Sequence, residues 1–216
     1  MITRNNFANA EQLAQRLARN VAASLRQALA GNERATLAVS GGTTPQKFFE
    51  ILSQQKLNWE NVTITLVDER QVDESSPRSN AKLVKAALLQ NEAAVARFVP
   101  LYQNPAAADV ANFDVVILGM GNDGHTASFF PAGDTLALAL ADSAPPLLAL
   151  SAAGSGEARV TFSLPKILAA KEIILHIQGA DKAATLETAM SADDIFEMPI
   201  RAVLNSGRVI EVYWCP

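Results

Sequence analysis

The sequence predicts an α/β protein with a mostly parallel, doubly wound (Rossmann-like) sheet that carries helices on both faces. Runs of branched apolar residues recur along the chain, as in Val-Val-Ile-Leu at 115–118, and such runs are typical of strands buried on both faces. Helical patterns stand between these runs, and alternation of this kind favours a parallel sheet. With 216 residues, 49% of them hydrophobic, we expect a single domain over 1–216.

Eight short strands are expected, with helices between most of them. The strands are predicted at 36–39, 62–67, 98–101, 115–118, 147–150, 160–162, 173–177 and 209–213. The helix starts are predicted from capping residues: Asn9 with Gln12, Thr44 before Pro45, Asn80, Ser163 with Pro165, and Asp181 before a helix at 182–190. The segment 136–141 is too short to assign to helix or strand, and 151–157 is expected to be a loop.

Composition excludes several classes of function. The formal net charge of -4 leaves no basic footprint, so we expect neither nucleic acid nor a membrane surface as a partner. Cys215 is the only cysteine, which excludes an intramolecular disulfide and a thiolate metal cluster. The first residues lack an apolar signal region, and no apolar run approaches the roughly 18 residues that span a bilayer. These observations predict a cytoplasmic protein.

We expect the chemistry in the stretch 114–131. The apolar run at 115–118 stops at Gly119 and gives way to further glycines, Asp123 and His125, one of only two histidines. Ligands of open parallel sheets bind at the carboxyl ends of the strands. An Asp-Gly-His turn at such an end suits acid–base chemistry.

Residues 119–124 also match the dinucleotide fingerprint G-x-G-x-x-G. That site needs an acid at the end of the next strand, about 20 residues on. Asp142 lies near that distance but precedes two prolines, and Asp123 would place a carboxylate inside the pyrophosphate loop. We therefore expect no nicotinamide or flavin cofactor.

Other candidates follow neighbouring strands. The loop Ser-Gly-Gly-Thr-Thr-Pro at 40–45 offers NH groups and hydroxyls to a phosphate or another oxyanion, without the lysine of a nucleotide-binding P-loop. Asp68 and Arg70 end the strand at 62–67. Glu69 between them is as compatible with a solvent-exposed end of that strand as with a functional role.

Three further residues need an interpretation. Arg159 and Lys182 lie at element boundaries, where a cation can bind an anion, although each alone also fits a surface charge. His176 lies inside an apolar strand and is interpreted as a packed, hydrogen-bonded histidine rather than a catalyst.

Together these motifs form an ordered set over nearly the whole chain. They are SGGTTP at 40–45, VDER at 67–70 with Ser79 and Asn80, GMGNDGHTASFFP at 119–131, RVT at 159–161 and GADKA at 179–183. In this order they closely resemble the 6-phosphogluconolactonases, which share a fold with glucosamine-6-phosphate deaminases. Two departures are Phe129-Phe130 in place of Leu-Phe, and a loop before Arg159 that lacks the usual prolines.

The resemblance implies hydrolysis of 6-phosphoglucono-δ-lactone in the oxidative pentose phosphate route, with no metal and no cofactor. It implies roles for the following residues: His125 as the acid–base group, Gly41, Gly42 and Thr43 around the substrate, Asp68 and Arg70 at the sugar, and Arg159 and Lys182 at the phosphate. A δ-lactone is an activated ester, so one base, one oxyanion donor and a positioning clamp suffice. Asp123 or Asp68 would orient the imidazole, and NH groups of 121–124 or of 41–43 would bind the oxyanion.

Two other functions remain open. An aminosugar-phosphate isomerase or deaminase on the same fold would follow the histidine with phenylalanine, asparagine and glutamate, whereas Ser128, Phe129 and Phe130 stand here. A non-catalytic sugar-phosphate sensor would need a DNA-binding segment, for which this acidic chain has no room. In each case the expected partner is a small sugar phosphate, and no obligate protein partner is implied.

Overall fold

A computed structural model describes residues 1–151 and 157–216. Its strands are β1 (Ile2–Asn6), β2 (Ala35–Val39), β3 (Val62–Leu66), β4 (Asp68–Arg70), β5 (Arg97–Val99), β6 (Val115–Leu118), β7 (Leu147–Ser151), β8 (Ala158–Phe162), β9 (Glu172–Gln178) and β10 (Ile210–Cys215). Its α-helices are α1 (Ala10–Gly31), α2 (Gln46–Leu52), α3 (Asn80–Ala87), α4 (Leu136–Leu140), α5 (Leu164–Leu168), α6 (Ala180–Met190) and α7 (Ile200–Leu204). None of these helices is long and apolar enough to cross a membrane.

Seven strands form one parallel sheet in the order β1-β10-β9-β6-β2-β3-β5. Helix α1 packs on α2, and α2 on α3, while α4 packs on α5 and α7 packs on both α5 and α6. The predicted fold class, a mostly parallel sheet with helices, is confirmed. The prediction that 1–216 is a single domain stays a prediction.

Helix α1 begins and ends where its sequence indicates. The side chain of Asn9 accepts a hydrogen bond from the backbone NH of Gln12 at 3.0 Å, which satisfies one free donor of the first turn. Leu13, Leu17 and Val21 belong to its buried face, and the helix ends at Gly31. The apolar stripe is therefore core, as predicted.

A second sheet, of three antiparallel strands, was not predicted. Its order is β4-β8-β7, so the segments predicted as strands at 147–150 and 160–162 are strands, but they do not join the parallel sheet. The chain passes from one sheet to the other at Val67, whose NH donates to Val39 of β2 and whose carbonyl accepts from Phe162 of β8. Residues 68–70 are consequently a strand and not a polar exit.

Glu69 has a structural role at the start of α3. Only 2% of it is exposed, so the interpretation as a solvated exit was wrong. Its carboxylate accepts hydrogen bonds from the NH groups of Asn80 and Ala81 and from the hydroxyl of Ser79. A negative charge at a helix N-terminus also complements the helix dipole. The Glu69 side chain thereby ties α3 to the small sheet.

Three predicted caps lie one or two residues from the observed ones. The caps of α2, α3 and α6 are Pro45, Ser79 and Gly179, where the sequence indicated Thr44, Asn80 and Asp181. Within the segment 136–141, which the sequence left unassigned, Leu136–Leu140 form helix α4. Strand β1 and helix α7 were missed; β1 is mostly polar and owes its place to pairing with β10. Of the loop predicted at 151–157, residues 152–156 lie outside the described part.

Candidate active site

The carboxyl ends of β2, β6 and β9 and one face of the small sheet border a cavity of about 390 Å³. Eight of the nine predicted site residues line it: Gly41, Gly42, Thr43, Asp68, Arg70, His125, Arg159 and Lys182. The ninth, Asp123, contacts His125. Residues that are far apart in sequence thus meet where the carboxyl ends of the parallel strands, the usual ligand site of an open α/β sheet, face the small sheet.

His125 is held by Asp123. The Oδ1 atom of Asp123 lies 2.6 Å from Nδ1 of His125 and also accepts the backbone NH of His125 at 3.1 Å. Burial opposes ionisation of Asp123, but the charge of His125 and these hydrogen bonds outweigh it and lower the pKa of the carboxyl. A carboxylate at Nδ1 favours the tautomer with the proton on that nitrogen, so Nε2 is the basic nitrogen. Asp123, and not Asp68, contacts the imidazole.

Gly121 leaves room for this pair because it has no side chain. A Cβ atom at position 121 would collide with Nδ1 and Cε1 of His125 and with Oδ1 of Asp123. The glycine is therefore required by close approach of the imidazole, which the fingerprint-like spacing of the motif does not indicate.

We predict that Gly121→Ala displaces the imidazole and lowers turnover by about a hundredfold, since a shift of about 1 Å in a reacting group has a cost of that order. Gly31→Ala is the matched control, because a Cβ atom at Gly31 meets nothing within 4 Å. Turnover and melting temperature of both variants would be measured. Wild-type turnover in a folded Gly121→Ala protein would contradict the role given to this contact.

The loop 40–45 offers free hydrogen-bond donors. Among the described residues, no acceptor takes the NH groups of Gly41, Gly42 or Thr43. By contrast, the NH groups of Gly121 and Gly124 donate to backbone carbonyls, at 2.8 and 3.1 Å. Of the two turns that the sequence left open as oxyanion donors, the 41–43 turn has all three of its NH groups unused within the described part of the chain, whereas the 121–124 turn has committed two of its four.

The small sheet places two arginines side by side. Arg70 of β4 stands directly opposite Arg159 of β8, and side chains of opposite residues share a face of the sheet. Like charges at such positions are unfavourable unless an anion lies between them. Within the described part of the chain, the buried Nε atoms of both side chains have no hydrogen-bond partner. Because the guanidinium of Arg70 also donates to Arg78 O and Asn80 Oδ1, Arg159 is the one of the pair better suited to binding an anion.

Asp68 lies on the same face as the two arginines. Its Oδ2 atom is 3.8 Å from Nη1 of Arg159, a loose ion pair, and accepts a hydrogen bond from the hydroxyl of Ser128 at 2.6 Å. Burial lowers the pKa of Arg159, and the charge of Asp68 opposes this shift. Arg70 is braced by Asn80, whose Oδ1 accepts from its guanidinium at 3.1 Å.

Phe130 separates the imidazole from a guanidinium. Its ring centroid lies 4.5 Å from that of His125, and the Arg159 guanidinium lies 5.4 Å from the Phe130 ring. Sequence reasoning did not assign site contacts to Phe130, Ser128 or Asn80. All three stand within or beside the motifs, but only the folded chain brings them against His125, Asp68 and Arg70.

Lys182 lies on another wall of the cavity, in the first turn of α6. Burial lowers the pKa of its amine, whereas the negative charges of Asp123 and Asp181 act in the opposite direction. The amine is thus within electrostatic reach of the acid that holds His125. The two cations predicted at the phosphate therefore belong to different walls, Arg159 to the small sheet and Lys182 to α6.

His176 lines the cavity from β9. Only 5% of the residue is exposed, and its ring meets Phe48 edge-on at 6.0 Å, so the predicted packing is confirmed. The predicted hydrogen bond was wrong, because Nδ1 has no partner among the residues that the structure describes. Burial lowers the pKa of His176 to about 4, so its ring is neutral near pH 7.

We predict that His176 makes the protein sensitive to acid. The pKa of this imidazole is about 6.5 in the unfolded chain and about 4 in the folded chain. Its contribution to stability is therefore fully present above about pH 6.5 and is lost as the pH falls to 4, by about 3 kcal/mol.

Urea unfolding of the wild type and of His176→Gln at pH 7 and pH 4.5 measures this contribution. Carboxyl groups titrate alike in both proteins, so the difference between their losses isolates the imidazole. The variant should lose less stability on acidification; equal losses would contradict the prediction.

Comparison with known sequences assigns the chain to a family. The sequence family described as glucosamine-6-phosphate isomerases/6-phosphogluconolactonase matches residues 8–214. The chain belongs to this family. The resemblance predicted from the ordered motifs is confirmed.

Similar members of the family are bacterial proteins named 6-phosphogluconolactonase. One from Mesorhizobium japonicum is 49% identical over 98% of this chain and 94% of its own length, and one from Rhizobium meliloti is 46% identical over 97% of each. A crystal structure of a 6-phosphogluconolactonase from Shewanella baltica is 38% identical, has a TM-score of 0.96, and covers 100% of this chain and 98% of the other. Similarity to these family members extends over the whole length and not over isolated motifs.

Proposed function

We propose that the chain hydrolyses 6-phospho-D-glucono-1,5-lactone to 6-phospho-D-gluconate, the lactone-opening step of the oxidative pentose phosphate pathway. Full-length similarity to proteins named 6-phosphogluconolactonase supports this substrate. The observation that carries the chemistry is a hydrogen-bonded His125–Asp123 pair at the same cavity as two cations, the buried Arg159 and the partly buried Lys182. A base and an anion clamp in one cavity are what a phosphorylated lactone needs.

In the proposed reaction, neutral His125 accepts a proton from water at Nε2 as the water oxygen forms a bond to C1. The carbonyl electrons move to oxygen, and the NH groups of Gly41, Gly42 and Thr43 stabilise this oxyanion. The oxyanion then re-forms the carbonyl, the bond from C1 to the ring oxygen breaks, and imidazolium returns the proton to that oxygen. Asp123 stabilises the imidazolium throughout.

Recognition involves two sets of residues. Arg159 and Lys182 would hold the phosphate, because charged hydrogen bonds to phosphate are strong and both cations line the cavity. Asp68 and Arg70 would bind sugar hydroxyls. As part of the same proposal, the protein acts in the cytoplasm and needs no obligate protein partner.

We predict that exhaustive chelation leaves the activity unchanged, because the mechanism needs no Lewis acid. Within the described residues, no three His, Cys, Asp or Glu side chains are grouped as a metal site requires. Turnover would be measured before and after chelation. Activity that disappears and returns with one divalent ion would show that the mechanism is incomplete.

One assay tests the proposed function against its nearest alternative, an aminosugar-phosphate deaminase or isomerase. The purified protein is given 6-phosphogluconolactone and, separately, glucosamine 6-phosphate, and acid release and ammonia release are recorded. A control without enzyme is needed because the lactone also hydrolyses spontaneously. We expect acid release alone. Ammonia release would support the deaminase, and binding without turnover would support a non-catalytic sugar-phosphate sensor.

A further inference from the structure

Ser128 has no part in the proton transfer, yet it makes a short contact in the cavity wall. Its Oγ atom donates to Oδ2 of Asp68 at 2.6 Å, and the two residues are 1% and 7% exposed. A hydrogen bond between a hydroxyl and a carboxylate is strong in such a setting, because solvent does not compete for it. The orientation of Asp68 therefore depends on Ser128.

The backbone before Ser128 is held in an uncommon conformation. Ala127 has a φ of 51°, in the left-handed region that residues other than glycine rarely adopt. The turn is fixed by hydrogen bonds from Phe129 NH to Thr126 O at 2.9 Å and from Thr126 Oγ1 to Gly119 O at 2.8 Å. Such strain persists only where the surroundings impose it, and it often accompanies a functional placement. Here it places the hydroxyl of Ser128 at Asp68.

The same oxygen of Asp68 faces Arg159 but does not close on it. The distance from Oδ2 to Nη1 of Arg159 is 3.8 Å, whereas a direct guanidinium–carboxylate hydrogen bond is about 2.7 to 2.9 Å long. The buried Nε atom of Arg159 also lacks a partner among the described residues. This guanidinium is thus close to a carboxylate without being neutralised by it.

We propose that Ser128 is a positioning residue that keeps Asp68 from closing on Arg159, so that the guanidinium remains available to the substrate phosphate. The proposal rests on the proposed function only in taking the anion to be the phosphate of the substrate. Without the hydroxyl, Asp68 turns to the nearest cation. Arg159 then has to break an ion pair before it can bind an anion.

The test is Ser128→Ala, with Ser163→Ala as the matched control. Ser163 is fully buried, and within the described part of the chain its Oγ atom has no partner, so its removal should change nothing. Binding of 6-phosphogluconate and of inorganic phosphate is measured by calorimetry, together with kcat and KM. For Ser128→Ala we expect about tenfold weaker anion binding, an equal rise in KM, and kcat within about twofold of the wild type. A purely structural defect would instead lower the active fraction and leave KM unchanged.

Repeating the Ser128→Ala change in an Asp68→Asn protein shows whether Ser128 acts on the anion through Asp68 or by contacting the anion itself. In Asp68→Asn the neutral amide does not attract Arg159, so adding Ser128→Ala should change phosphate affinity by less than about twofold. A tenfold loss in both backgrounds, or in neither, would overturn the proposal. If Ser128→Ala fails to fold, anion binding is measured on Ser128→Cys, which removes the hydroxyl but retains the side-chain volume. Phosphate binding is measured without turnover, so a wild type that leaves the lactone intact would refute the proposed function while the role of Ser128 is still decided.

Discussion

His125→Asn is expected to lower lactone turnover by about a hundredfold to ten-thousandfold, the usual contribution of a positioned acid–base group. The affinity for 6-phosphogluconate should stay close to that of the wild type, since the cations proposed to hold the phosphate, Arg159 and Lys182, lie on other walls of the cavity.

Turnover, product affinity and melting temperature measured on one preparation distinguish a catalytic role of His125 from a purely structural role in the turn. Asp123→Asn is an informative companion, because it keeps a hydrogen-bonding side chain beside Nδ1 but removes the charge; its turnover should fall between those of the wild type and His125→Asn. If His125→Asn loses product binding and stability together, the histidine only braces the turn. A folded variant with wild-type turnover would remove His125 from the mechanism altogether.

Removal of Arg159 or Lys182, the two cations proposed to bind the phosphate, should weaken binding of the phosphorylated substrate about tenfold to a hundredfold. The estimate follows from the 1.5 to 3 kcal/mol that each charged hydrogen bond contributes, roughly. For Arg159→Ala and Lys182→Ala, KM for 6-phosphogluconolactone should therefore rise. KM for unphosphorylated gluconolactone should be nearly the same in both variants as in the wild type. Titration with 6-phosphogluconate measures the same loss without turnover.

Lys85→Ala is the control for removal of a positive charge. Its amine pairs with Glu74 at 2.6 Å on the surface, and Lys85 does not line the cavity. The control should bind the phosphorylated substrate as the wild type does. Equal losses on the phosphorylated and unphosphorylated lactones would show that Arg159 or Lys182 supports the structure and not the phosphate.

The sequence predicted the parallel strands because their apolar runs are local signals. Strand β6 was predicted at its observed bounds, and β9 was predicted within one residue at each end. The small sheet was missed because residues 68–70 pair with residues 159–161, about ninety positions away, and no local pattern encodes that pairing. A run of three charges after a buried strand has the same appearance whether it enters solvent or a second sheet.

The candidate site was predicted residue by residue, but its supporting contacts were not. His125 and Lys182 follow strands of the parallel sheet, whose carboxyl ends meet at one edge, and Arg159 faces them from the small sheet; all three line one cavity. The choice of Asp123 as the partner of His125 depended on the conformation of a short turn. The partner of Asp68 depended on the left-handed backbone at Ala127, which nothing in an alanine indicates.

The two sheets divide the site between them. The base and the loop 40–45 follow strands of the parallel sheet, whereas Arg70 and Arg159 stand on the antiparallel one, and the two sheets are joined at Val67. His125 and the loop 40–45 thus have a different scaffold from Arg70 and Arg159, while Lys182 lies on α6, which follows β9 of the parallel sheet. Under the proposed mechanism, an engineer who seeks a lactonase for a differently charged or uncharged lactone can vary Arg159 on the small sheet and Lys182 on α6, and leave the turn that carries His125 unchanged.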